Sequence, residues 1–218
     1  MFNKLFYPAI IILTMSGCAE NVGHTGQTEI TKWQDGKTGA VSITYDDGIR
    51  TQFSKMLPIM ERLKLPATFF VITGPIKGSK YPAKFIGRPI KEIINETAHI
   101  NTNAGNFFER ASALRYTGYK GMQAFYDRAD DWYESGKKEN AYKVIDSAYK
   151  EVRSGQLKPG KDISMEIANE TGLTWDDLKQ YASHGYEIAS HTVTHAHLAI
   201  MDTANMLYEL QKSKQDIA

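Results

Sequence analysis

Residues 40–45, "AVSITY", alternate apolar and polar side chains with β-branched and aromatic members, the period-two pattern of a strand. The strand runs straight into Asp46, Asp47 and Gly48. The next stretch, "TQFSKMLPIMERLKL", sets Phe53, Met56, Leu57, Met60 and Leu63 at helical spacing, with Pro58 as a kink or a restart. "PATFFVITG", flanked by Pro66 and Gly74, is a continuous apolar run and predicts a buried parallel strand. Strand, helix and strand over this length predict a βαβ unit with a right-handed crossover. From residue 75 to 172 the character shifts to long helical stretches rich in Tyr, Lys, Glu and Ala. Gly136 punctuates them into an αα-hairpin, and Phe125, Trp132, Tyr133, Tyr142, Val144, Ile145 and Tyr149 are the expected packed faces. The strand-helix rhythm resumes at "TWDDLKQYASHG", where Thr174 is the expected N-cap and Asp176 and Asp177 suit a first helical turn. "YEIAS" predicts a short strand that delivers "HTVTHAHL", and "DTANMLYELQKSKQDIA" predicts an amphipathic final helix.

A chain of 218 residues that is 42% hydrophobic is long enough to bury one sizeable core. Its formal net charge of +1 supplies no global field, and no basic run interleaved with aromatics occurs, so nucleic acid is not an expected partner. The N-terminus changes the picture. "MFNKLFYPAIIILTMSGCAE" offers one Lys, an apolar run near residues 10–13 and small residues before the single cysteine, Cys18. This is the three-part layout of a secretory signal peptide. The small residues directly before Cys18 resemble the lipobox of bacterial lipoproteins, with Met15 where Leu is commoner. That resemblance implies cleavage and lipidation at Cys18, hence a lipid-anchored envelope protein; Ala19, not being acidic, points to the outer membrane. With one cysteine no internal disulfide forms. The polar, Gly- and Thr-rich residues 19–39 read as a linker, which contains His24. The expected organisation is therefore a lipoprotein signal peptide at 1–18, a linker at 19–39 and a folded body at 40–218 with a helical insertion over about 75–172.

Two features carry candidate chemistry. Asp46 and Asp47 are adjacent acids at the end of the first strand, although Asp-Gly is also a common turn dipeptide. His191 and His195 stand four apart, which across one helical turn puts both imidazoles on one side, although surface composition produces such pairs too. Their placement favours a site, because both fall at the C-terminal ends of predicted parallel strands, where ligands gather in α/β folds.

Together "TYDDG" and "SHTVTH", with the surrounding "GYEIASHTVTHAHL", resemble the first two motifs of the polysaccharide deacetylase family, the NodB-homology domain of carbohydrate esterase family four. The resemblance covers about residues 40–74 and 176–210, and Tyr45 stands where the family usually has Phe. It implies an α/β fold, a partial distorted (β/α) barrel interrupted by the long helical insertion. It implies a divalent metal, commonly zinc, held by Asp47, His191 and His195, with Asp46 as general base and an acetylated glycan as substrate. One carboxylate and two imidazoles leave an open coordination position, as catalytic zinc requires.

The family's later segments, Arg-x-Pro-aromatic, an Asp/Trp motif and Leu-x-His with the general acid, follow its second motif. Here Ala218 lies one helix beyond that motif, so the expectation is a chain with the first three strands. "GRPI" at residues 87–90 and "DRADDW" at residues 127–132 precede the second motif and read as chance look-alikes. Two other readings remain: a non-catalytic envelope lipoprotein binding metal or glycan on a relict site, and a helical interaction module built on the insertion. In the enzymatic reading the insertion walls the substrate cleft. His99, His184 and His197 are expected in surface or helix-start roles, His197 near the site.

Overall fold

The computed structural model describes residues 32–160 and 172–218. The predicted signal peptide with Cys18, and the linker as far as residue 31, lie outside the described residues. The chain divides into a short unit before Ser42 and a body over Ser42–Ala218. In the first unit Gln34–Gly36 form one 3-10 turn, in which the Gly36 N–H donates to the Trp33 carbonyl at 3.0 Å.

The body is α/β. Among the described residues its sheet has three strands, β1 (Thr44–Tyr45), β2 (Thr68–Val71) and β3 (Glu187–Ser190), in the order β1-β2-β3 and parallel throughout. The first strand is shorter than "AVSITY" predicts. Among the described residues, pairing starts with Thr44 opposite Thr68, the first residue of β2. Ile43 adds only its carbonyl, accepting from the Thr68 N–H at 3.1 Å.

The crossover after β1 begins as a π-helical turn, Gln52–Met56, and continues as α1 (Leu57–Leu63). Pro58 lies in the first turn of α1, where its missing N–H costs nothing. On β2, Phe69 and Val71 are fully buried, whereas Thr68 and Phe70 are only half-buried. The continuous apolar run thus buries one face. That face meets Phe53, Leu57 and Met60 of the crossover and Leu173, Leu178 and Tyr186 around α6 (Trp175–Ser183). Phe53 stacks on Phe69 at 4.5 Å and on Tyr181 at 4.6 Å. Thr174 caps α6, as its sequence predicts, and the structure adds the reciprocal bond of a capping box with Asp177.

Between β2 and β3 lie α2 (Ile90–Glu96), α3 (Phe107–Arg115), α4 (Met122–Glu134) and α5 (Lys138–Arg153). Gly136, at φ +79, makes the turn of the predicted αα-hairpin. All seven predicted packed-face residues join one core cluster or pack against it. This cluster also contains Ile72, just past β2, and Ala196, in the histidine loop, so the insertion shares its core with the ends of the strands. At its centre Arg110 is fully buried. Its guanidinium donates to Asp146 at 3.0 Å and to the Thr102 hydroxyl at 2.9 Å, over the rings of Tyr149 and Phe85.

The last helix, α7 (Thr203–Ile217), is capped by Asp202. Its orientation reverses the one expected from its amphipathic pattern. Leu207, Tyr208 and Leu210 are 43–45% exposed, while Glu209, Ser213 and Asp216, spaced by four and three, are buried. The reason is that α7 packs on strand-end loops whose free polar groups need partners: Ser213 meets the Ser190 hydroxyl at 2.5 Å, and Asp216 accepts from the Lys80 N–H at 2.8 Å. No helix among the described residues is long and apolar enough to cross a membrane.

A buried guanidinium is tolerated only while its carboxylate partner is present. Asp146→Ala is expected to lower the unfolding free energy by about 3–5 kcal/mol, read as a lower urea midpoint at unchanged slope. A midpoint equal to that of the wild type would show that Thr102 and the aromatic rings suffice for Arg110.

Candidate metal centre

At the end of β1 the chain turns through two left-handed residues, Asp47 (φ 74) and Gly48 (φ 74). Gly48 is required twice over: only glycine adopts this φ freely, and a Cβ there would sit 3.1 Å from Val71 Cγ1. Gln52 braces the turn, donating to the Asp46 carbonyl at 2.7 Å and accepting from the Ile49 N–H at 3.2 Å. Asp46 is left exposed and Asp47 half-buried.

At the end of β3 the pairing with β2 continues past the strand. The His191 N–H donates to the Val71 carbonyl at 2.9 Å, Thr73 N–H to Thr192 at 3.0 Å and Gly74 N–H to Val193 at 2.9 Å. A Cβ at Gly74 would lie 2.5 Å from the Val193 carbonyl oxygen, so this approach requires glycine. These bonds commit the loop's carbonyls to β2, and the histidine pair therefore does not sit on a helical turn. Instead Thr192 (φ 68) and His195 (φ 56) are left-handed and curl the loop until both rings face Asp47. Non-glycine residues in this region are strained and persist only where their surroundings hold them.

Three side chains hold them. The Thr192 hydroxyl accepts from the His195 N–H at 2.9 Å. Glu209 of α7 accepts from the N–H groups of Val193 and Thr194, each at 2.8 Å, and from the Thr194 hydroxyl at 2.7 Å. Ser112 of α3 donates to the Thr194 carbonyl at 2.7 Å, with the His195 carbonyl at 3.2 Å.

Asp47 Oδ1 lies 3.5 Å from His191 Nε2 and 3.4 Å from His195 Nε2, and the three ligand atoms lie within 4.8 Å of one another. A tetrahedral ion with bonds of about 2.0–2.1 Å separates its ligands by roughly 3.4 Å. The two Asp-His separations match that edge, and a carboxylate with two imidazoles is a donor set suited to a divalent transition metal, so these residues fit such an ion. Burial holds the His195 imidazole below its usual proton affinity, against the pull of Asp47, and the charges of His191 and Arg115 add to the effect. A neutral imidazole is the ligating form.

Tyr116, at the end of α3, is 3% exposed. Its ring sets an edge against His195 at 5.7 Å and 85°. Burial first, and then the Asp47 charge, raise its pKa far above that of a free tyrosine. His197 pairs through Nδ1 with the buried carboxylate of Asp130 on α4 at 2.5 Å and lies over Tyr126. Burial raises the Asp130 pKa while His197 opposes it, and burial pushes the Tyr126 hydroxyl up to about 12. His184 pairs with Glu61 at the surface, and His99 is exposed.

Of the residues singled out by sequence, the structure thus brings Asp47, His191 and His195 together, places Asp46 beside them on the exposed side of the turn, and leaves His99 and His184 elsewhere. Cys18 lies outside the described residues. Sequence reasoning missed Ser112, Tyr116, Asp130 and Glu209. The available signals were faint: Ser112 and Tyr116 are four apart on one helix, and Asp130 belongs to the "DRADDW" stretch dismissed as chance.

Glu209→Ala leaves two buried N–H groups without acceptors and is expected to cost about 2–4 kcal/mol. Leu207→Ala on the same helix, being exposed, should stay within about 0.5 kcal/mol. Urea denaturation of the two variants reads the order directly. A larger loss for Leu207→Ala would mean that the apolar side of α7 is the packed one.

A family model described as polysaccharide deacetylase matches residues 34–106 and 137–218. It spans both strand ends that bear the Asp-Asp and His-x-x-x-His residues and passes over residues 107–136, which carry α3 and α4. No curated protein and no solved structure matches the chain. A match over most of the sequence, meeting in space at one Asp-His-His cluster, means that the chain belongs to the polysaccharide deacetylase family, hydrolases that act on acetylated sugars.

Proposed function

We propose that the protein is a metal-dependent carbohydrate deacetylase that removes acetyl groups from a polysaccharide or oligosaccharide. The observation that carries this reading is the convergence of Asp47, His191 and His195 through three strained backbone positions. These three side chains would hold a divalent ion, zinc by preference of the donor set. Such an ion supplies Lewis-acid polarisation of the acetyl carbonyl and acidifies water. Asp46 is the general base: it is exposed, adjacent in sequence to a ligand, and carries a carboxylate able to take the proton of the attacking water. The Asp-Asp-Gly turn thereby divides two acids between two tasks, one turned inward to the ion and one outward to water.

The helical segment contributes to the substrate side. Arg115, whose charge reaches His195 and Tyr116, also lines a recess of about 420 Å³ with Tyr119, Met122 and Gln123. We assign this recess to the glycan, as the wall expected of the insertion. The parallel three-stranded sheet is compatible with the opening part of a distorted (β/α) barrel. Cys18 is the acylated residue of a lipoprotein, which anchors the domain in the envelope, in the outer membrane, with residues 19–39 as the tether.

Full-length His191→Ala is expected to lose stoichiometric zinc binding while folded, and His99→Ala to retain it. Asp46→Asn should keep zinc and lower acetate release from acetylated chitin, peptidoglycan or xylan fragments by about 10²-fold or more. Unchanged release by Asp46→Asn rejects its role. Zinc binding by the wild type with no release from any of these glycans favours the non-catalytic lipoprotein.

The anchor has its own test. Mass spectrometry of the mature protein from its native membrane should find an N-terminal, acylated Cys18. A mature chain beginning at Met1 and soluble without detergent rejects the anchor.

A further inference from the structure

The metal centre of the proposed function has a second layer of residues, and much of it comes from α3. Ser112 and Tyr116 stand four apart and so share one helix face. Both are polar and nearly inaccessible, at 0% and 3% exposure, in a helix whose other buried side chains are Phe, Ala and Leu residues and the paired Arg110. A buried hydroxyl is expensive unless it is used. Both sit against the Asp-His-His cluster or its loop: Ser112 donates to the carbonyls of Thr194 and His195, and the Tyr116 ring meets the His195 ring edge-on.

We infer that α3 is the outer support of the metal centre, with Tyr116 as the positioning residue that orients His195 and Ser112 as the residue that pins the loop beneath it. The inference rests on the metal-centre reading given above. A further observation favours it. Metal-binding imidazoles ordinarily donate their second N–H to an acceptor that fixes the ring. His195 Nδ1 is buried and meets no hydrogen-bond partner among the described residues, so contacts such as the Tyr116 edge must do this instead. Because α3 lies in the stretch that the family match passes over, this support belongs to the chain's own helical insertion.

The inference is tested with Tyr116→Phe, Ser112→Ala and Tyr149→Phe in the full chain. Tyr149 is the control: it is also fully buried in the insertion, and its hydroxyl donates to the Arg110 carbonyl at 3.0 Å, away from the cluster. Zinc affinity is measured by calorimetric titration, the visible absorption of the Co²⁺-loaded protein reports ligand geometry, and thermal melting reports folding. Tyr116→Phe is expected to weaken zinc binding about 10–100-fold and to shift the Co²⁺ bands, and Ser112→Ala to weaken it about tenfold. Tyr149→Phe should stay within about twofold of wild type. Wild-type affinity and an unshifted Co²⁺ spectrum in Tyr116→Phe overturn the inference alone, and so does equal weakening in Tyr149→Phe, which would mark a general loosening. Should Tyr116→Phe fail to fold, Ser112→Ala decides by the same two readouts. A wild type that binds no zinc overturns both this inference and the function on which it rests.

Discussion

Two strands that never touch must deliver side chains to one point. β1 and β3 flank β2, and neighbouring strands are about 4.8 Å apart, so the ends of β1 and β3 stand roughly 10 Å from each other. Asp47 and the two histidines nevertheless come within 3.4 and 3.5 Å. The chain closes that gap by leaning across the end of β2 from both sides. On one side Asp47 and Gly48 turn left-handed, and on the other Thr192 and His195 do so. Between them β2 must offer no bulk, which is why Gly74 passes beneath the Val193 carbonyl. Each strained residue costs roughly 1–3 kcal/mol, so the arrangement stands only if the surroundings over-determine it.

The rest of the body reads as the means of doing so. Helix α7 buries its polar stripe because the loops past β2 and β3 present free N–H and hydroxyl groups, which only acceptors such as Glu209 and Asp216 satisfy. Exposure of Leu207, Tyr208 and Leu210 is the consequence, since a helix this narrow cannot turn both faces inward. The insertion acts from the other direction. Its core includes Ile72 and Ala196, one residue past β2 and one past His195, so its helices press on both walls of the cluster. Arg110 and Asp146 then tie α3 to α5, giving Ser112 and Tyr116 a fixed platform.

What the sequence made legible was local. The strands, the hairpin at Gly136, the N-cap at Thr174 and the packed faces of α4 and α5 all follow from periodicity or from partners within a few residues. The acid pair and the histidine pair were legible too, because strand ends mark where ligands collect, while the choice of Asp47 with both histidines as the ligand set came from the resemblance to the deacetylase motifs. The failures were of one kind. A pattern rule turns Glu209 outward and Leu207 inward, since it scores side chains against oil and cannot see an unpaired backbone N–H fifteen residues away. The short β1 depended on register with β2, and the histidine loop on bonds to Thr73 and Gly74. Ser112 and Asp130 reach partners 82 and 67 residues distant, beyond any window of local pattern.

The electrostatics of the cluster follow from the same geometry. Asp47 lies between two imidazoles, and burial of His195 disfavours the imidazolium that would otherwise neutralise the carboxylate. Arg115 pushes in the same direction, from the end of the helix that brings Tyr116. The result is a half-buried carboxylate beside the His195 ring, whose charged form burial disfavours, an arrangement whose missing charge is positive and small. Asp46 stays outside this balance, one residue earlier and facing water, and the difference between the two acids is made by a single left-handed residue.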